Sequence, residues 1–239
     1  MDRTIICIGG GEIKDKTTLK IDEYIANLAK KRAGDRRARG LFIGTASHDF
    51  MPYFNSFRKT YTSVFDIKAD CLLTVYTTYE REKIEEKFEL CDFIYVGGGD
   101  TVFMTEKWKQ DGIFELIKKA YERGVIICGL SAGAICWFEN MYTDSEMVAR
   151  EEKYSFFGGL GVLEGTCSPH YNFRKEDLGE AMVKNGVKTC FAIEDNAALI
   201  FKNEKLTGSL SCGGSSYILR NNAGSIESYE IEKISEIVL

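Results

Sequence analysis

The chain begins with a β-rich apolar run over residues 4–8 that ends in Gly9-Gly10-Gly11. It continues into residues 19–31, where Leu19, Tyr24, Ile25 and Leu28 fall at helical spacing. This order of strand, loop and helix recurs. Residues 41–43 read as a strand ahead of Gly44-Thr45-Ala46 and a helix over 53–61, and a strand over 64–69 precedes a helix over 80–88. Residues 93–96 end in Gly97-Gly98-Gly99 before a helix over 114–123, and a strand over 125–130 runs directly into a helix over 132–138. Alternation of this kind, sustained over about 140 residues, predicts a parallel sheet covered by helices on both faces.

Past Tyr142 the rhythm changes to short apolar segments at 160–163 and 189–193. Beyond Asn196 come four strand-like stretches, 197–202, 206–211, 217–220 and 225–230. They are separated by Asn203-Glu204, Gly213-Gly214 and Asn221-Asn222-Ala223-Gly224, all favourable for turns. These predict an antiparallel C-terminal hairpin region that extends the sheet. The two prolines, at 52 and 169, mark no linker, so the expected architecture is one domain over 1–239: α/β, a doubly wound, mostly parallel sheet flanked by helices.

Composition narrows the setting. Hydrophobic residues make up 44% and charged residues 28%, as in ordinary globular proteins. No run approaches the roughly 20 apolar residues of a membrane span, and Met1-Asp2-Arg3 leads straight into a strand, so no membrane association and a cytoplasmic location are expected. The eight cysteines include no C-x-x-C pair and mostly sit in apolar runs, which predicts buried, reduced thiols and no metal site. A net charge of -5, with no basic cluster larger than that of residues 30–39, argues against nucleic acid as a partner. Residues 8–12 match neither G-x-G-x-x-G nor G-x-x-x-x-G-K-[ST], so no nucleotide cofactor is implied, and none of another kind is expected.

The most informative local pattern is Val125-Ile126-Ile127-Cys128-Gly129-Leu130-Ser131-Ala132-Gly133-Ala134, a buried strand entering G-x-S-x-G and then a helix. Where a strand turns abruptly into a helix, the apical residue is forced into strained backbone angles, and small residues two positions away prevent collision. Gly129, Gly133 and Ala134 supply that space and lift the Ser131 hydroxyl out of the turn. A serine nucleophile needs a base, and the chain holds two histidines, His48 and His170, both predicted at carboxyl ends of strands where sites of parallel sheets are built. A carboxylate should orient the imidazole. Phe191-Ala192-Ile193-Glu194-Asp195-Asn196 offers two at a strand end, of which Glu194 is the better candidate.

Taken together, Tyr95-Val96-Gly97-Gly98-Gly99-Asp100, the Ser131 turn, Ser168-Pro169-His170-Tyr171 and Ala192-Ile193-Glu194 resemble the peptidase E (aspartyl dipeptidase) family of serine peptidases, related to cyanophycinase. The likeness runs in order through nearly the whole chain. It implies a fold like that of class I glutamine amidotransferases, with Ser131 as nucleophile, His170 as general base and Glu194 as orienting acid. The amides of Gly98 or Gly99 and of Ala132 would form the oxyanion hole. For the substrate, the resemblance points to Asp100, which stands where relatives typically carry asparagine. It also points to Arg174 for a substrate carboxylate, and to Asp144 or Glu146 for an amino terminus. The implied activity is hydrolysis of a short peptide or related small amide by a monomer or homodimer; the alternative is a catalytically silent small-molecule binding or sensing protein on the same scaffold.

Overall fold

The computed structural model describes residues 2–77, 79–145 and 153–234. In chain order the strands are β1 (Thr4–Ile8), β2 (Arg39–Ile43), β3 (Lys68–Leu72), β4 (Phe93–Val96), β5 (Ile126–Leu130), β6 (Phe138–Thr143) and β7 (Ser155–Gly158). They continue with β8 (Leu163–Ser168), β9 (Thr189–Ile193), β10 (Ala197–Lys202), β11 (Lys205–Ser211), β12 (Ser216–Asn222) and β13 (Ser225–Glu230). The helices are α1 (Leu19–Ala33), α2 (Met51–Ser63), α3 (Arg81–Leu90), α4 (Thr101–Asp111), α5 (Ile113–Glu122), α6 (Ala132–Ile135) and α7 (Tyr171–Lys184).

Two sheets form. The larger has the order β11-β10-β1-β5-β4-β2-β3, in which β1, β5, β4, β2 and β3 are mutually parallel and the β10-β11 hairpin joins antiparallel at β1. Side chains alternate across it as the two-residue strand period requires. Ile5, Cys7, Leu41, Ile43, Ile94, Val96 and Ile127 enter one core, with α3, α4 and α5. Ile6, Ile8, Phe42, Phe93, Tyr95, Ile126 and Cys128 enter the other, beneath α1 and α2. Burial of both faces is why these strands read as continuous apolar runs.

The smaller sheet, β13-β12-β9-β8-β6-β7, packs Phe138, Met141, Leu163 and Cys167 into the first core and carries α7 on its other side, over Cys190, Ala192 and Leu219. Here the expectation of one extended sheet is corrected. The C-terminal hairpins part company: β10-β11 extends the large sheet, while β12 pairs with β9 and belongs to the small one. The helix expected over 132–138 is also shorter. It makes one turn and releases the chain into β6, because Phe138 pairs with Leu163 and the Trp137 indole N–H donates to Gly133 O at 2.8 Å. The strand expected over 64–69 lies later, at Lys68–Leu72, on the sheet edge where every second residue is exposed and the apolar signal is thin. Neither α4 nor α7 announces itself by periodicity. The buried stripe of α7 is only Tyr171, Arg174, Leu178 and Met182, and that of α4 includes Thr101 and Thr105.

Burial also reaches a carboxyl group. Asp22 of α1 is fully buried beneath α2, accepting from Thr18 Oγ1 at 2.8 Å and Tyr61 Oη at 2.9 Å. Desolvation pushes it up to about 6 from its ordinary 3.8, the two hydrogen bonds only partly offsetting this. A carboxyl raised on folding binds more protons in the native state, so it costs stability as pH rises from about 4 to about 6 and nothing further above. Asp22→Asn keeps the Tyr61 bond and can donate to Thr18. Its stability relative to wild type should therefore rise by about 1–3 kcal/mol across that window, as read by urea unfolding at several pH values. Parallel pH profiles would refute the assignment.

Candidate active site

In the large sheet β5 lies between β1 and β4, so the Ser131 turn is flanked by the two glycine runs that end those strands. Ser131 has φ 53° and ψ −107°, a conformation that costs a non-glycine residue on the order of 1–3 kcal/mol. The turn is held there by backbone. Ser131 N–H donates to Ile8 O at 2.9 Å, and its carbonyl accepts from Ala134 and Ile135 at 2.9 and 3.1 Å. A Cβ on Gly129 would stand 2.4 Å from Gly133 O, and one on Gly133 would stand 2.2 Å from Val96 O. The glycine spacing is thus a packing requirement between the turn and β4.

His170 ends the segment after β8 in a left-handed conformation (φ 52°) and donates its N–H to Gly9 O at 3.1 Å. Its Nε2 lies 2.8 Å from Ser131 Oγ and its Nδ1 2.6 Å from Asp195 Oδ1. With Asp195 as acceptor the proton sits on Nδ1, leaving Nε2 to accept from the serine hydroxyl. Hydroxyl, imidazole and carboxylate form one continuous chain of hydrogen bonds, the arrangement a serine nucleophile needs.

Against this geometry stand the comparisons with known proteins. Residues 5–208 match Peptidase family S51. The chain belongs to that family. An uncharacterized peptidase, YgaJ, of Bacillus subtilis (strain 168) is 32% identical over 87% of each chain. Peptidase E of Haemophilus influenzae is 22% identical over 64% of this chain and 76% of its own. Among solved structures, a peptidase from an acI-B1 Actinobacterium superposes with a TM-score of 0.69 at 16% identity, covering 98% of this chain and 95% of that one. A putative peptidase E protein from Listeria monocytogenes EGD-e gives 0.62 at 19%, covering 88% and 99%. At those identities the structures speak for the fold alone.

Within this S51 peptidase the site departs from the sequence expectation at several residues. Glu194 does not face His170. Its carboxylate accepts from Ser215 N–H at 2.9 Å while its own N–H donates to Ser215 O at 3.0 Å, and the next residue along the extended chain, Asp195, meets the histidine. Asp100 is not turned toward a substrate either. It caps α4, accepting from Phe103 N–H at 3.0 Å and contacting the Ser145 hydroxyl. Arg174 is buried and engaged by Tyr142 O and Asp144 Oδ1, both at 2.9 Å, with its guanidinium 4.5 Å from the Tyr154 ring centroid, so it and Asp144 hold each other. Glu146 lies outside the described residues. His48 packs on the Phe103 ring at 4.4 Å.

The glycine turn after β4 is pinned amide by amide. Gly97 N–H donates to Ile43 O at 3.0 Å, Gly98 N–H to Tyr53 Oη at 3.2 Å and Asp100 N–H to Ala46 O at 2.8 Å. Those partners commit Gly98 and single out Gly99 between the two candidate donors. Gly99 (φ 138°) also has to be glycine, since a Cβ would stand 2.1 Å from Ala46 O. Beside the turn, Ser131 and His170 open onto a cavity of about 570 Å³ whose walls include Glu12, Ile13, Lys14, Phe50 and Tyr53. Burial drives the thiols of Cys7, Cys128, Cys136 and Cys167 far up, so none of these competes as a nucleophile. Among the described residues no cluster of three metal-ligating side chains occurs.

Sequence reasoning passed over Gly10. A Cβ there would stand 1.9 Å from Asp195 Oδ1 and 2.5 Å from His170 Nδ1, so the first glycine run is the floor beneath the imidazole and carboxylate. Its only signal was a third glycine-ended strand. Gly10→Ala should push the pair apart and cost about 1–3 kcal/mol of stability. Proton NMR offers the check: a low-field His170 Nδ1–H resonance in wild type and Glu194→Gln, lost in Gly10→Ala and Asp195→Asn. Loss in Glu194→Gln with retention in Asp195→Asn would reverse the assignment.

Proposed function

We propose that this peptidase is of the serine type and hydrolyses short peptides, dipeptides foremost, through an acyl-enzyme on Ser131. The observation that carries this is the unbroken Ser131–His170–Asp195 chain at 2.8 and 2.6 Å on a strained turn. His170 Nε2 takes the Ser131 proton as Oγ attacks the carbonyl, and the charge formed on oxygen is met by the Gly99 and Ala132 amides. The imidazolium, oriented by Asp195, gives its proton to the departing amine. Water then repeats the sequence in reverse, with His170 as base, and frees the acid. No cofactor enters these steps.

The cavity favours small substrates, with Glu12 and Lys14 as the charged side chains on its wall beside apolar Ile13 and Phe50. With Arg174 engaged by Asp144, N-terminal aspartate should carry no special advantage. We place the enzyme in the cytoplasm as a monomer or homodimer, acting on neither nucleic acid nor membrane; among the described residues no helix is long and apolar enough to cross a membrane. A silent scaffold would gain from Asp100 standing in the site where relatives typically carry asparagine. With that carboxylate capping α4, the support falls away.

A fluorophosphonate probe should label wild type and Glu194→Gln, and fail on Ser131→Ala. Asp195→Asn should lower the labelling rate by about 100-fold or more. Labelling that persists in Ser131→Ala would sink the proposal. In a dipeptide panel, an Asp-X substrate preferred more than tenfold over Ala-X and Leu-X would refute the specificity claim while leaving the nucleophile intact.

A further inference from the structure

Tyr53, on the first turn of α2, has no part in the proton path described above, yet it lines the same cavity as Ser131 and Gly99. Its oxygen accepts from Gly98 N–H at 3.2 Å, one peptide away from the Gly99 amide. The ring is fixed on two sides. Phe42 meets it edge-on at 5.1 Å between centroids, and a Cβ on Gly97 would come within 2.9 Å of Tyr53 Cε1. Among the described residues, the hydrogen bond this hydroxyl makes is the one it accepts from Gly98. A phenol that accepts one N–H still has a proton to give, and accepting that bond strengthens the proton as a donor.

Resting on the serine-hydrolase reading, we propose that Tyr53 is a catalytic residue: its O–H donates, beside the Gly99 amide, to the oxygen that becomes negatively charged when Ser131 attacks the carbonyl. The bond that forms is Ser131 Oγ to carbonyl carbon, the carbonyl π pair moves onto oxygen, and the phenolic proton stays on Tyr53 throughout, shared in a hydrogen bond. Burial, the largest influence on this phenol, pushes its pKa well above the ordinary tyrosine range and keeps the proton in place around neutral pH, the Gly98 bond opposing only in part. Such a donor answers charge that develops in the transition state and hardly touches the ground-state carbonyl, so its effect belongs in kcat.

The test uses the full chain and p-nitrophenyl acetate, with Tyr53→Phe retaining the ring and Tyr53→Ala removing it. For Tyr53→Phe we expect kcat to fall about 10- to 100-fold with KM within about twofold, the rate of fluorophosphonate labelling to fall in parallel, the pH midpoint of the rate to stay unchanged, and the melting temperature to drop by only a few degrees for the lost Gly98 bond. Wild-type kcat in Tyr53→Phe with loss confined to Tyr53→Ala would overturn the proposal and reduce Tyr53 to packing. A rise in KM alone would also overturn it, since that marks ground-state binding. Wild type that neither labels nor turns over the ester would remove the serine reading itself, and the role of Tyr53 with it.

Discussion

Direct contact of backbone with backbone at the carboxyl ends of β1, β5 and β4 is the constraint on which the rest of this molecule depends. Gly129 and Gly133 let the Ser131 turn settle against Val96 O, and Gly10 lets the end of β1 lie beneath the His170–Asp195 pair. Interiors are packed as densely as organic crystals, so a gap of this kind cannot hold even a methyl group without displacing something. The strained serine, the imidazole and the carboxylate are positioned by that lack of room as much as by their own hydrogen bonds. The strain at Ser131 is carried by the Ile8 carbonyl on one side and the one-turn α6 on the other.

Much of this was written legibly in the chain. Central strands buried on both faces declare themselves as apolar runs, which is why β1, β4, β9 and β10 fall where periodicity puts them. Glycine runs at strand ends marked the rim of the site, and the serine and histidine lay in recognisable surroundings. Less legible was whatever depended on pairing across long stretches of sequence. The choice between Glu194 and Asp195 turns on which way one residue faces after β9 leaves its sheet, and Ser215, some twenty residues on, decides it by engaging Glu194. In the same way, Asp100 reads as a site residue beside three glycines until α4 is seen to begin at Thr101 and need a cap.

Arg174 shows a further limit. A lone arginine after the catalytic-type histidine has the right chemistry for a carboxylate ligand, but chemistry in a sequence does not say which partner arrives first. Here Tyr142 O of β6, Asp144 just after that strand and the Tyr154 ring just before β7 occupy it. Burying an arginine is tolerable only when its fork is satisfied in this way, and a satisfied fork is not available to a ligand. Tyr53 is the opposite case, an unremarkable helix residue in sequence that folding sets against the glycine turn.

The two-sheet architecture gives the site one more property. Ser131 is carried by the large sheet, whereas His170 follows β8 of the small sheet and Asp195 sits where the chain crosses from β9 to β10, from one sheet to the other. The 2.8 Å contact between hydroxyl and imidazole is therefore a seam between the two sheets. A relative slide of about 1 Å would carry it past hydrogen-bond range while leaving every strand ladder intact. The Gly9 carbonyl on His170 N–H is a rivet across that seam, and the Gly10 carbonyl on Asn196 N–H carries the β1–β10 ladder up to the residue after Asp195, so the first glycine run keeps imidazole and carboxylate in step.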